Sequence, residues 1–169
     1  MSQQQAAPAG AFYLRPRPQG FSLYMNSCAE HLRMVRELAA RTLGEAGVDA
    51  GTCENVQLVI SELVGNGVRA CGDRVPLVVE VDAERAGVSV KVHDPEGERM
   101  PMRTPVSLDD AESENGRGLG LVDFLAPDWQ TVRTPLGKQI VCHVPYGDQA
   151  STTALDTAPR QPEHRGAAT

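Results

Sequence analysis

NGRGLGLVDF (Asn115–Phe124) sets glycines at 116, 118 and 120, directly ahead of an apolar segment of helical character. Glycine weakens any regular element, so this cluster implies a backbone role: a tight turn, or room for a ligand that touches main chain. Glycines can expose consecutive N–H groups. Beside the positive N-terminus of a helix over about 119–126, those groups make a site suited to phosphate. No Gly-Lys-Ser/Thr follows, so the run is not a P-loop, and no strand leads into it, so it is not a dinucleotide fingerprint.

Just upstream, residues 99–115 lack periodicity and hold Pro101, Pro105 and the acidic run DDAESE. A loop of this length inside a compact domain is either functional or disordered. Before it stands VKVHDPEG (90–97), where Asp94 ends a strand and can reach a ligand lying on the strand end, and Gly97 lets the chain turn close by. An Asp-Pro pair is equally a plain turn signal.

Farther out, alternating β-branched runs pair into two hairpins: PLVVEVD (76–82) with VSVKVHD (88–94) across AERAG, and WQTVRT (129–134) with KQIVCHV (138–144) across PLG. FSLYM (21–25) is a further strand. Ser27 and Glu30 form a capping box that opens a helix with the stripe Leu32, Val35, Leu38, Ala39 and Leu43, ended by Gly44 and Gly47. A second helix spans about Thr52 to Ala70, with Val56, Val59, Ile60, Leu63 and Val64 on one face. The order β-α-α-β-β-loop-α-β-β predicts an α/β (α+β) two-layer sandwich, with a mixed, mostly antiparallel sheet and helices on one face.

Within the second helix, SELVGNGVRA (61–70) stacks Glu62 and Asn66 one turn apart, at the flank of the apolar stripe. A carboxylate and an amide there look into any cavity that borders the core. The amide oxygen suits a hard cation such as Mg²⁺, and the carboxylate suits a base or a water-ordering group. A solvated Glu and a helix-end Asn are the alternative on these residues alone.

Composition narrows the class. The 169 residues suit one domain, folded over 21–146, with mobile segments at 1–20 and 147–169 that lack apolar periodicity. At 41% hydrophobic and 4% aromatic, the core must be built mainly of Val, Leu, Ile and Ala. A net charge of −6 argues against direct nucleic-acid or membrane-surface binding. There is no membrane-spanning run and no signal-peptide pattern, so a cytoplasmic protein is expected. Cys28, Cys53, Cys71 and Cys142 show no C-x-x-C pairing and read as buried thiols.

Taken in order, Glu-x-x-x-Asn on a helix, a strand ending in Asp, a long loop and G-x-G-x-G into a helix form a specific constellation. It resembles the Bergerat (GHKL) ATP-binding fold over roughly 21–146. SELVGNGVRA is similar to its N box, HDPEG to its G1 box and GRGLGLV to its G2 box. In size and style the chain looks most like the bacterial anti-sigma-factor serine/threonine kinases. That resemblance implies a kinase that transfers the γ-phosphate of ATP to an antagonist protein, with ATP and Mg²⁺ as cofactors. It also implies a sigma factor and the antagonist as partners, and allows a homodimer through the first strand and first helix. By position, Glu62 would be the base, Asn66 the Mg²⁺ ligand and Asp94 the acceptor of the adenine amino group. Gly97, Gly116, Arg117, Gly118, Leu119 and Gly120 would surround the nucleotide. The chain departs from the family pattern where Glu96 and Glu98 replace glycines of the G1 box, where Gln139 replaces a hydroxyl residue, and where no His-Ala pair follows the N box. The alternative function is a regulatory module, nucleotide-binding or nucleotide-free, that acts by partner sequestration without phosphotransfer.

Overall fold

A computed structural model describes residues 12–72, 74–98, 101 and 114–147, and for 114–118 the backbone only. The elements are β1 (Tyr13–Arg17), β2 (Gly20–Asn26), α1 (Ala29–Glu45), α2 (Ala50–Cys71), β3 (Pro76–Glu84), β4 (Gly87–Asp94), α3 (Glu114–Leu125), β5 (Gln130–Thr134) and β6 (Gly137–Pro145). The strands form one sheet in the order β1-β2-β3-β4-β6-β5. Every neighbouring pair is antiparallel, so the mixed component expected from sequence is absent among the described residues. Two-residue turns at 18–19, 85–86 and 135–136 join β1 to β2, β3 to β4 and β5 to β6, and links this short allow only antiparallel neighbours.

Strand alternation builds the two layers. Leu77, Val79 and Val81 of β3, Val88, Val90 and Val92 of β4, and Ile140, Cys142 and Val144 of β6 are all buried. They join Val35, Ala39 and Leu43 of α1 and Val56, Val59, Ile60, Leu63 and Val64 of α2 in one core. The residues between them on the strands face the opposite side. There Arg17 pairs with Asp82 and, at 3.1 Å, with Glu80.

Three local features differ from the sequence expectation. Tyr13–Arg17, inside the N-terminal segment expected to lack structure, pairs residue for residue with β2. Its Arg17 ion pairs add a tie across to β3. The capping box at Ser27 does not form: α1 is capped at Cys28 with no side-chain bond. The Ser27 hydroxyl instead donates to the Gly72 carbonyl at 3.1 Å and accepts from the Val75 N–H at 3.0 Å, so it ties the start of α1 to the α2–β3 link. The cap that does form is Asp49 on α2, which accepts from the Thr52 N–H at 2.9 Å and the Thr52 hydroxyl at 2.7 Å.

The third difference bears on the site. α3 begins at Glu114, so the glycine run lies within the helix and not ahead of it. Only the N–H groups at the very start of a helix are free, so those of Gly118 and Gly120 are spent inside α3. Sequence reading placed the start later because each interior glycine costs about 1 kcal/mol relative to alanine. Apart from Pro101, Glu114 and Asn115, the loop over 99–115 lies outside the described residues, as do 1–11 and 148–169.

Candidate nucleotide site

The second half of α2, the end of β4, the turn after it and the first residues of β6 meet at one end of the sheet. Gly67 makes the close approach possible. A Cβ there would stand 3.2 Å from the Leu77 side chain and 3.8 Å from the Asp94 Cβ. The helix therefore lies directly on β3 and β4, and Asp94 sits beside the residue that follows Asn66. Glu62 and Asn66 are both half-buried on this stretch, one turn apart. Glu62 makes no hydrogen bond or ion pair with a described residue.

Asn66 is held in an incomplete way. Its Oδ1 accepts a short hydrogen bond from Arg69, whereas its Nδ2 is buried without a partner among the described residues. Arg69 reaches back along the helix because Gly65 has no side chain; a Cβ there would meet the guanidinium at 3.3 Å. A buried amide with an open hydrogen-bonding position is what a site for a polar ligand leaves behind, since such groups are otherwise satisfied. The oxygen that would serve a hard cation is the atom Arg69 now covers.

Asp94 is 3% exposed and heavily engaged. Its Oδ1 accepts from the Glu96 N–H at 2.9 Å, from Lys138 Nζ at 3.1 Å and from the Cys71 thiol at 3.8 Å. Lys138 is 4% exposed, and its ammonium also donates to the Glu96 carbonyl at 2.7 Å and the Glu96 carboxylate at 3.0 Å. Burial, then the nearby Asp94 charge, pushes the Cys71 thiol up. Gly137, at φ 138°, lets β6 begin against the Asp94 carbonyl, where a Cβ would fall 2.1 Å from that oxygen. Gly97 faces it across the same gap, its own Cβ position 3.3 Å from the Gly137 carbonyl.

Sequence reasoning missed Lys138, and two of the departures it noted change meaning. Register sets Asp94 opposite Lys138 and His93 opposite Gln139, so Lys138 faces the helices with Asp94, while Gln139 lies on the other face of the sheet. Gln139 is not a site residue. Glu96 does not stand as a bare carboxylate beside phosphates, because Lys138 neutralises it. The signal for Lys138 was alternation: Ile140, Cys142 and Val144 face the core, so the residue two before Ile140 shares their side.

α3, which carries the glycine run, packs on α2. Leu119 and Gly120 are half-buried, with Leu119 packed against the core. The side chain of Arg117 lies outside the described residues.

No helix of the described residues is long and apolar enough to cross a membrane, and those residues contain no cluster of metal-ligating His, Cys, Asp and Glu. No curated protein matches the sequence significantly. A family model described as histidine kinase-like ATPase domain matches residues 25–143, from the end of β2 into β6. The match takes in Glu62, Asn66, Asp94, Gly97 and the glycine run, and an ATPase domain implies ATP binding. The chain belongs to the histidine kinase-like ATPase domain family.

Proposed function

We propose that this protein is an Mg-ATP-dependent serine/threonine protein kinase of the anti-sigma-factor type, acting in the cytoplasm on an antagonist protein. The observation that carries the reading is the placement of Glu62, free of described partners, one turn before the incompletely satisfied Asn66, whose neighbour Gly67 lies against buried Asp94. These three groups fit a nucleotide. Asp94 can accept from the adenine amino group, Asn66 can turn its oxygen to Mg²⁺ once Arg69 is displaced, and the open N–H groups of the first turn of α3 suit phosphate. Bound Mg-ATP supplies an electrophilic phosphoryl group. The protein's part is to hold it by base and metal and to take the proton of the attacking hydroxyl on the Glu62 carboxylate. Partner capture would use the exposed apolar Phe12, Tyr13, Leu14 and Tyr24 at the β1 edge, a surface also suited to a homodimer.

A non-catalytic regulatory module is the second reading. It is favoured by the Arg69 contact that covers the Asn66 oxygen. Glu62→Gln separates the two. For a kinase it leaves ATP affinity within a few-fold and cuts single-turnover phosphotransfer to the cognate antagonist by about 10²–10⁴. For a module, wild type and variant show the same negligible transfer.

A further inference from the structure

Lys138 is a buried cation that the phosphotransfer scheme does not use. All three of its protons are placed, on Asp94 Oδ1, the Glu96 carbonyl and the Glu96 carboxylate. A lysine side chain left 4% exposed is tolerated only when paired, and this one is paired on both sides. The consequence falls on Asp94. Its Oδ1 is filled by donors from three directions, Cys71 on α2, Glu96 in the turn and Lys138 on β6.

We propose that Lys138 is a positioning residue for base recognition: by filling one side of Asp94, it holds Oδ2 in place as the acceptor that selects a 6-amino purine over a 6-oxo purine. The inference rests on the nucleotide reading of this site. An ionised carboxylate can only accept, so it meets an exocyclic amino group favourably and a carbonyl oxygen with two lone pairs opposed. Without the ammonium, the Asp94 carboxylate loses the contact on β6 that fixes Oδ1 and is free to turn. Oδ2 then no longer stands at one fixed place before the base, and discrimination is lost. Through the Glu96 carbonyl, Lys138 also pins the Pro95–Gly97 turn that borders the base position.

ATP and ITP differ at this edge of the base and carry the same triphosphate, so the ratio of their affinities isolates the effect from any general disturbance. Calorimetric titrations of both nucleotides with Mg²⁺ compare wild type with Lys138→Met, Lys138→Gln and Lys138→Arg. The expected result is an ATP preference in wild type that falls about tenfold in the Met and Gln variants, equal to about 1.4 kcal/mol, and is retained in Arg, which keeps the charge. The Gln variant keeps a neutral donor of similar reach, so a poorly folding Met variant leaves the comparison intact. A ratio unchanged in Met or Gln, or lost equally in Arg, overturns the role of Lys138 while leaving the nucleotide site standing. Binding of neither nucleotide by wild type overturns both.

Discussion

Asp94 and Asn66 are adjacent to the same turn of α2, yet their environments call for different experiments. Asp94 shares a buried ion pair with Lys138, each side chain 4% exposed. Asp94→Ala leaves the buried ammonium with Glu96 as its remaining carboxylate, so it should destabilise the fold by about 1.5–3 kcal/mol, the worth of a hydrogen bond to a charged group, read as a shift of the urea midpoint. A loss under 1 kcal/mol would mean that Lys138 escapes to water. Asn66 is half-buried and bonded only to Arg69 among the described residues, so Asn66→Ala should fold normally. It should abolish the Mg²⁺-dependent tightening of ATP binding and leave metal-free binding nearly intact. A variant that keeps the full Mg²⁺ effect would remove Asn66 from the metal.

α2 is the element on which the site depends, because it carries Glu62 and Asn66 and presses Asp94 from above through Gly67. Its start is fixed by the Asp49 cap, whose bonds from Thr52, first the hydroxyl and then the N–H, hold its carboxyl below the ordinary value of 3.8. A carboxyl whose pKa is lowered on folding contributes stability above its unfolded value and loses it as the pH falls through the folded one. The difference in Tm between wild type and Asp49→Ala should therefore be largest near neutral pH and narrow as the pH drops below 3.8. A difference constant from pH 7 down to about 2.5 would show that the charged cap contributes nothing beyond its geometry. The same helix shows how far local pattern carries. Periodicity in Val56, Val59, Ile60, Leu63 and Val64 placed it and its buried face, and the spacing of Glu62 and Asn66 put both at the core flank. No local pattern could show Arg69 folded over Gly65 onto Asn66.

For the whole molecule, one core holds the two layers together, and Cys142 lies inside it at 1% exposure. Burial pushes its thiol up to about 12, so almost no thiolate exists near neutral pH. Native protein treated with iodoacetamide should leave Cys142 unlabelled while half-buried Cys28 reacts, and denaturant should expose both to mass-spectrometric detection. Labelling of Cys142 would then follow global opening. Equal labelling rates for the two in native protein would contradict a single packed core.

Hydrophobic period and turn residues determine elements a few residues at a time. For that reason the strands from Gly20 onward, both long helices, their order and the two-layer class were legible in the chain. So was the series Glu62, Asn66, Asp94 and Gly97, because each is marked by its place on an element and its order in the motif. Contacts between distant residues were not legible. Ser27 suits a helix cap on local grounds, but its hydroxyl is claimed by Gly72 and Val75, 45 and 48 residues away. Gln139 stands where a motif would look, yet strand register turns it outward and turns Lys138, 44 residues from Asp94, into the site. A side-chain period of two makes the facing of a strand residue depend on its pairing partner, and pairing is a property of the folded sheet.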